Sequence, residues 1–309
     1  MLALSTAYFT LRTPELDGED IVRGALDLGF RALEIDYRVT DVQMRRMAPV
    51  LLGEEVALVS VHHPFPRDPA ADPRTAHTAG PLLTSTDPDE RRAAVRQASE
   101  TLARAADLGA GVVVVHVGRV ELPPDADALR LEVLVREGLR ESAEYEALRS
   151  RVAEARARAA PAFRDATLSS LDRLASEAVR RGLWVGLENR YHPPEIPDRG
   201  ELETIFRELE GAPLGYWHDT GHAASQVLLG FLGSQTELLE AFGDRLLGIH
   251  LHDARGLDDH LAPGEGELDF REIAPLVGEK ARRVLEVHPL SPARALERAR
   301  EVLAEAGLG

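Results

Sequence analysis

The chain has 309 residues, 44% of them hydrophobic, a formal net charge of −16 and no cysteine. Thiol nucleophiles, thiolate metal sites and disulfides are excluded, and so acidic a balance disfavours long-range attraction to nucleic acid or anionic membranes. The N-terminus, MLALSTAYFT, has no basic stretch followed by a long apolar run, and no window reaches membrane-spanning length, so a soluble, cytoplasmic protein is expected.

Eight short β-branched apolar runs alternate with longer helical patterns, the signature of repeated βα units. The runs are LALSTAYF (2–9), RALEIDYR (31–38), VALVSVHHP (56–64), GVVVVHVG (111–118), LWVGLENR (183–190), LGYWHDT (214–220), LLGIHLHD (246–253) and RVLEVHP (283–289). Helices are predicted between them at 19–28, 90–108, 169–181 and 292–306, the last with Ser291 as N-cap and Pro292 in its first turn. No glycine-rich phosphate turn follows the first run, which argues against a doubly wound sheet and against a nucleotide cofactor. The expected fold is α/β, a single (β/α)8 TIM barrel over residues 1–309. Two connections are long: Pro66–Pro88, and Val120–Thr167 with its charged helical stretch ESAEYEALRSRVAEARARAA. Both leave C-terminal strand ends, which makes them candidates for a lid or a homo-oligomer contact. The single lysine, Lys280, falls in the turn before the last strand, on the face that carries stability, so Schiff-base chemistry is not expected.

In a barrel, alternate residues of each strand point inward, and side chains at the C-terminal ends face the active-site mouth. That parity turns Glu188 inward with Gly186 and Trp184, turns Glu286 inward with Val284, and favours His62 over His63 because it keeps step with Ser60. His252 shares a side with His250, one layer deeper. Trp184 and Trp217 are expected deep in the interior, as core rather than as a sugar platform. Ten of the eleven histidines, all but His77, fall at or just beyond strand ends.

A single histidine or carboxylate in such a place is more often a satisfied polar residue or a helix cap than a ligand. The set reads differently, because carboxylates converging in one low-dielectric mouth repel unless a cation or protons neutralise them. The set is His62, His116, Glu188, Asp219, His222, His252, Asp258, His260 and Glu286. With no thiolate available, nitrogen and oxygen must hold a divalent metal ion, and such ligation favours manganese or zinc, with cobalt, iron and magnesium behind them.

Local motifs sharpen the set. Asp219-Thr220-Gly221-His222 ends a strand on a carboxylate and brings a histidine back over the same mouth by a tight glycine turn. His252-Asp253 is followed by Asp258-Asp259-His260 and by Pro263-Gly264-Glu265-Gly266, a looped-back pair whose turn is set by proline and glycines. Glu188-Asn189-Arg190 joins a carboxylate, an amide and a fixed positive charge. With VHHPF, VVHVG and LEVHP, these motifs resemble the superfamily of xylose isomerase-like TIM barrels across essentially the whole barrel. That superfamily contains sugar isomerases and epimerases, and endonuclease IV. Resemblance to the epimerase branch implies one divalent ion on residues matching Glu188, Asp219, His252 and Glu286, with His222 contacting substrate. Resemblance to endonuclease IV implies three zinc ions, with His62, His116, Asp258 and His260 matching its additional ligands.

The leading expectation is therefore an isomerase or epimerase of a small polyhydroxylated carbonyl compound, a sugar, sugar phosphate or sugar acid, working through an enediolate. The resemblance gives Glu188 and Glu286 the removal and return of a proton on opposite faces of that carbohydrate-like substrate. Arg190 and Arg255, just past strand ends, are candidates for a substrate carboxylate or phosphate, or for pairing with loop carboxylates. The alternatives are a multinuclear zinc phosphodiesterase acting on abasic DNA and a metal-dependent keto-polyol dehydratase. The net charge of −16, and a 66–88 loop with only Arg67 and Arg74 and with Arg91 nearby, argue against a nucleic-acid partner.

Overall fold

Eight parallel strands close into a barrel in the computed structural model of the chain, which describes residues 1–75, 80–122, 126–288 and 290–309. They are β1 (Leu2–Ser5), β2 (Ala32–Ile35), β3 (Ala57–His62), β4 (Val112–Val115), β5 (Trp184–Glu188), β6 (Leu214–Asp219), β7 (Leu246–Leu251) and β8 (Arg282–Leu285). Each strand pairs with its sequence neighbours, and β8 closes the ring on β1. The expected (β/α)8 barrel is the observed fold. His77 and Pro289 lie outside the described residues.

The strands are shorter than the apolar runs that announce them. Tyr8 and Phe9 already belong to a helical turn, Ala7–Thr10, while Asn189 and Arg190 lie beyond β5 and His252 lies beyond β7. These departures supply the residues of the barrel mouth.

Inside the ring, Ala3, Ala32, Val112, Val114 and Val284 surround Trp217, which is fully buried. Small residues make room for the indole: a Cβ on Gly248 would lie 2.4 Å from its Cζ3 atom. Leu187, Val185, Ile249 and Leu251 alternate outward into the layer between barrel and helices. Trp184 corrects the expectation of depth. It is the first residue of β5, at the open N-terminal rim, and is 45% exposed.

The long connection after β4 contains a helix at Ala126–Arg136 and then leads into one helix of 39 residues, Ala143–Arg181. The charged stretch at 141–160 and the helix predicted at 169–181 are thus a single element. Ser142 caps it through the Tyr145 backbone N–H, and Gly182, with φ of 67°, ends it. Only Pro161 interrupts an otherwise helix-favouring stretch. Leu131, Leu134, Tyr145 and Leu148 pack with Leu229 and Leu257, so the insertion is folded down beside the loops after β6 and β7. Ser291 does not cap the last helix, Ala293–Ala306; its hydroxyl turns to Glu265 at 3.2 Å, and Pro292 occupies the cap position. Among the described residues no helix is long and apolar enough to cross a membrane.

Candidate functional site

Register places the mouth residues side by side. Glu34 pairs with Ser60 across β2 and β3, and Asp219 pairs with His250 across β6 and β7. Around His250, Glu188, Asp219 and Glu286 each offer an oxygen, and the four ligand atoms lie within 4.8 Å of one another. His250 Nδ1 is 2.9 Å from Glu188 Oε1, 3.0 Å from Glu286 Oε2 and 3.6 Å from Asp219 Oδ2. All four residues are buried.

Further groups adjoin this one. His116 Nε2 lies 2.6 Å and His62 Nε2 3.4 Å from Glu188 Oε2, which makes Glu188 a member of two ligand sets. On the other side His260 joins Asp219 and His252 in one set and His222 and Asp259 in another. His252 Nε2 contacts both oxygens of Asp219, at 2.9 and 3.0 Å. Its backbone is clamped by Thr220, whose hydroxyl donates to the His252 carbonyl at 2.6 Å and accepts from its N–H at 3.1 Å.

Of the nine candidates, eight are brought together: His62, His116, Glu188, Asp219, His222, His252, His260 and Glu286. Within them, the histidine in the ring with Glu188, Asp219 and Glu286 is His250, not His252. The reason is strand length, since the two share parity: β7 ends at Leu251, so His250 is its last inward residue, and His252 reaches Asp219 from outside the ladder. Asp258 stands apart. It belongs to an irregular ribbon, Asp253–Arg255 against Asp258–Leu261. Asp258 is directed outward onto Arg136 at 2.6 Å, and Asp259 takes the inward place, 3.1 Å from His260 Nδ1. His63 turns away from the mouth to Thr101 Oγ1 at 3.0 Å, and burial pushes it down to about 3.

Neither arginine is presented as a free anion site. Arg190 Nη2 lies 2.8 Å from Glu195 and Nη1 3.4 Å from Glu188. Arg255 is exposed and donates to the Glu265 carbonyl.

Several supporting groups were not singled out as site residues from the sequence. Glu34 accepts from the Ser60 hydroxyl at 2.7 Å and meets His250 Nε2 at 3.1 Å. An acidic residue in step with inward Ala32 is the signal that marks it. Asn189 Nδ2 donates to the Asp219 carbonyl at 3.0 Å, and its Oδ1 accepts from the Asp219 N–H at 2.7 Å. Asp253 fixes the loop behind the site by accepting from the N–H groups of Ala254, Gly264, Gly266 and Leu268, at 2.9 to 3.0 Å.

Asp219 also caps the helix Thr220–Leu228 through the His222 N–H. The chain therefore enters a helix directly, where a glycine turn was expected. Gly221 is required for room instead: a Cβ there would lie 2.2 Å from His252 Cε1. His260 holds φ of 56°, unusual for a side-chain-bearing residue; its N–H donates to His252 Nδ1 at 2.9 Å and its ring stacks on His252 at 4.2 Å.

Burial works to raise Glu188, but His116 and His250 outweigh it and hold its carboxyl well below the usual range. Asp219 is likewise held low, against burial, by His222 and His252. Desolvation opposes charge on His250, yet Glu286, Glu34 and Glu188 raise its pKa well above the ordinary value. His116 is driven down by burial and by Arg190. Against burial, Asp259 pushes His260 up to about 10. The mouth thus keeps ionised carboxylates out of water and seeks positive charge. Converging carboxylate and imidazole donors, with no thiolate and no lysine among them, fit a divalent ion of intermediate hardness.

Among solved structures, 3-keto-D-glucoside 4-epimerase from E. coli superposes with a TM-score of 0.67 at 17% identity, covering 100% of this chain and 99% of that one. D-allulose 3-epimerase from Methylomonas sp. gives 0.68 at 16%, covering 99% and 97%. A Thermus thermophilus protein solved after soaking with ZnCl2 gives 0.58 at 20%, covering 98% of each chain. At these identities the likeness is one of fold. No curated protein matches the chain in sequence. The profile of the xylose isomerase-like TIM barrel family matches residues 22–306, and the chain belongs to that family.

Proposed function

We propose that the protein is a divalent-metal-dependent epimerase or isomerase of a small polyhydroxylated carbonyl compound, acting through an enediolate. The observation that carries this reading is the convergence of Glu188 and Glu286, from β5 and β8, on one buried ring around His250. Two structural neighbours, a keto-glucoside epimerase and a D-allulose epimerase, support the same reaction class. Glu188, Asp219, Glu286 and a histidine of the β7 end, His250 or His252, would hold the ion. When bound there, it supplies Lewis-acid stabilisation of negative charge developing on substrate oxygens.

The chain's own groups do the rest. Glu188, kept ionised beside His116, removes a proton from the carbon next to the carbonyl, and Glu286 returns one on the opposite face. His222 Nδ1 donates to the Asn189 carbonyl at 3.0 Å, which orients the ring for Nε2 to contact a substrate oxygen. Arg190 holds Glu188 in place from the side.

Incubation of the metal-loaded protein with a panel of ketoses in deuterium oxide tests the reading. Deuterium should enter the carbon beside the carbonyl, and Glu286→Gln should slow this by about 100-fold or more while retaining part of the metal. No exchange from any ketose or keto-glycoside would refute the proposal.

A second reading is favoured by one observation: the sets His62–His116–Glu188 and His222–Asp259–His260 flank the central ring, as a multinuclear hydrolase would require. Two or three ions per chain, together with cleavage of a tetrahydrofuran abasic oligonucleotide, would select it. Among the described residues, the loop after β3 offers little to a duplex, because Arg67 is spent on the carbonyls of Arg38 and Ala71, and Arg74 on Asp72.

A further inference from the structure

A cavity of about 570 Å³ opens beside the mouth, with His116 and Arg190 at its inner end. That volume is within the roughly 300–1,000 Å³ of small-molecule sites. The long insertion builds its outer wall: Leu129 and Glu132 lie on the helix Ala126–Arg136, opposite the loop after β5. Two contacts hold these walls together. Glu132 Oε1 and His192 Nδ1 meet at 2.7 Å, and the ribbon Gly118–Arg119 pairs with Glu195–Ile196.

The lining is mixed in a particular way. Leu129 is 61% exposed and turned to the cavity, where Leu82 supplies a second apolar surface. Polar groups flank them, but Glu90, Glu132 and Glu195 face Arg119, Arg190 and His192, so the wall carries no net positive charge to hold a phosphate or carboxylate. An apolar patch rimmed by balanced hydrogen-bonding groups matches a neutral sugar ring, with its C–H faces and hydroxyl edge.

We infer that this cavity binds a neutral second unit of the substrate, so that the compound processed at the mouth is a glycosylated keto-sugar and not a free monosaccharide. The inference rests on the proposed epimerase or isomerase reaction and specifies its substrate class. It also gives the insertion a role, as the wall of an outer subsite.

The test compares the metal-loaded protein on free ketohexoses and on their glucosylated counterparts, for example D-fructose against isomaltulose. Solvent deuterium exchange and calorimetric binding are both measured, for the wild type and for Leu129→Arg. Leu129 is exposed and stands on the helix of the insertion, not on a barrel strand, so the fold and the mouth should survive the change. The expected result is a kcat/KM about tenfold or more higher for the glucosylated ketose, falling to the free-ketose level in Leu129→Arg, with exchange on the free ketose unchanged. Equal kcat/KM for the two substrates, or an equal loss on both in the variant, overturns the inference. If no sugar exchanges deuterium, the proposed reaction fails, and binding decides the subsite separately. Tighter binding of the disaccharide that Leu129→Arg removes upholds the subsite, and equal affinity for both sugars overturns it.

Discussion

Nε2 of His250 lies 3.1 Å from Oε1 of Glu34, while Nδ1 of the same ring lies 2.9 Å from Oε1 of Glu188. One imidazole therefore links a fully buried carboxylate of β2 to the ring of candidate ligands. A carboxylate behind a histidine fixes which nitrogen carries the proton and how the ring is aimed. Ser60 holds Glu34 in turn, so the arrangement rests on the register between β2 and β3.

Glu34→Gln should accordingly weaken metal binding and lower exchange activity by about 10–100-fold while leaving the barrel folded. Metal titration and circular dichroism read the two effects apart. Unchanged affinity would show that Glu34 does not position His250.

The central ring gathers three carboxylates out of water, and a bound cation removes their mutual repulsion. Chelation should therefore lower the melting temperature, and resupplied manganese or zinc should restore it, stabilising the fold by about 2.7 kcal/mol at a hundredfold excess over Kd. Total metal analysis gives the ion count. One ion per chain fits the central ring alone, and two or three bring in the flanking sets.

Gly248 has a packing role that a single substitution exposes. A Cβ there would lie 2.4 Å from Trp217 Cζ3 and 2.5 Å from Cη2, so Gly248→Ala should cost about 1–3 kcal/mol by overpacking. Combining it with Trp217→Leu should recover part of that loss relative to the sum of the single changes. Strict additivity in thermal denaturation would show that the two residues do not contest the same space.

His192 tests the fastening of the cavity walls. Burial works to lower its pKa, but the Glu132 hydrogen bond and Glu195 raise it above the ordinary value. A raised histidine contributes stability that is fully present below its unfolded pKa of about 6.5 and is lost as pH rises through the folded value. An NMR titration should place His192 above about 6.5, and Glu132→Gln should move it down. No movement in the variant would show that the pair does not form in solution.

The alternation of short apolar runs with helical stretches was enough to identify the barrel, because both periodicities are local properties of the chain. The same period of two selected His62 over His63 and turned Glu188 and Glu286 into the mouth, and all three stand there. Parity holds only while a residue stays in the ladder. Beyond the strand ends it stops, and contacts from distant segments take over: Thr220 clamps His252, Arg136 draws Asp258 outward so that Asp259 faces in, and Glu195 occupies Arg190.

The sequence by itself determined the architecture and the chemical character of the mouth, since strand parity and residue type need no distant partner to be read. Only the tertiary structure decided that His250 completes the ring with Glu188, Asp219 and Glu286, that Glu34 stands behind it, and that the insertion walls a cavity beside His116. Those outcomes depend on strand register and on packing between segments distant in sequence, from the 60 positions between Glu132 and His192 to the 216 between Glu34 and His250.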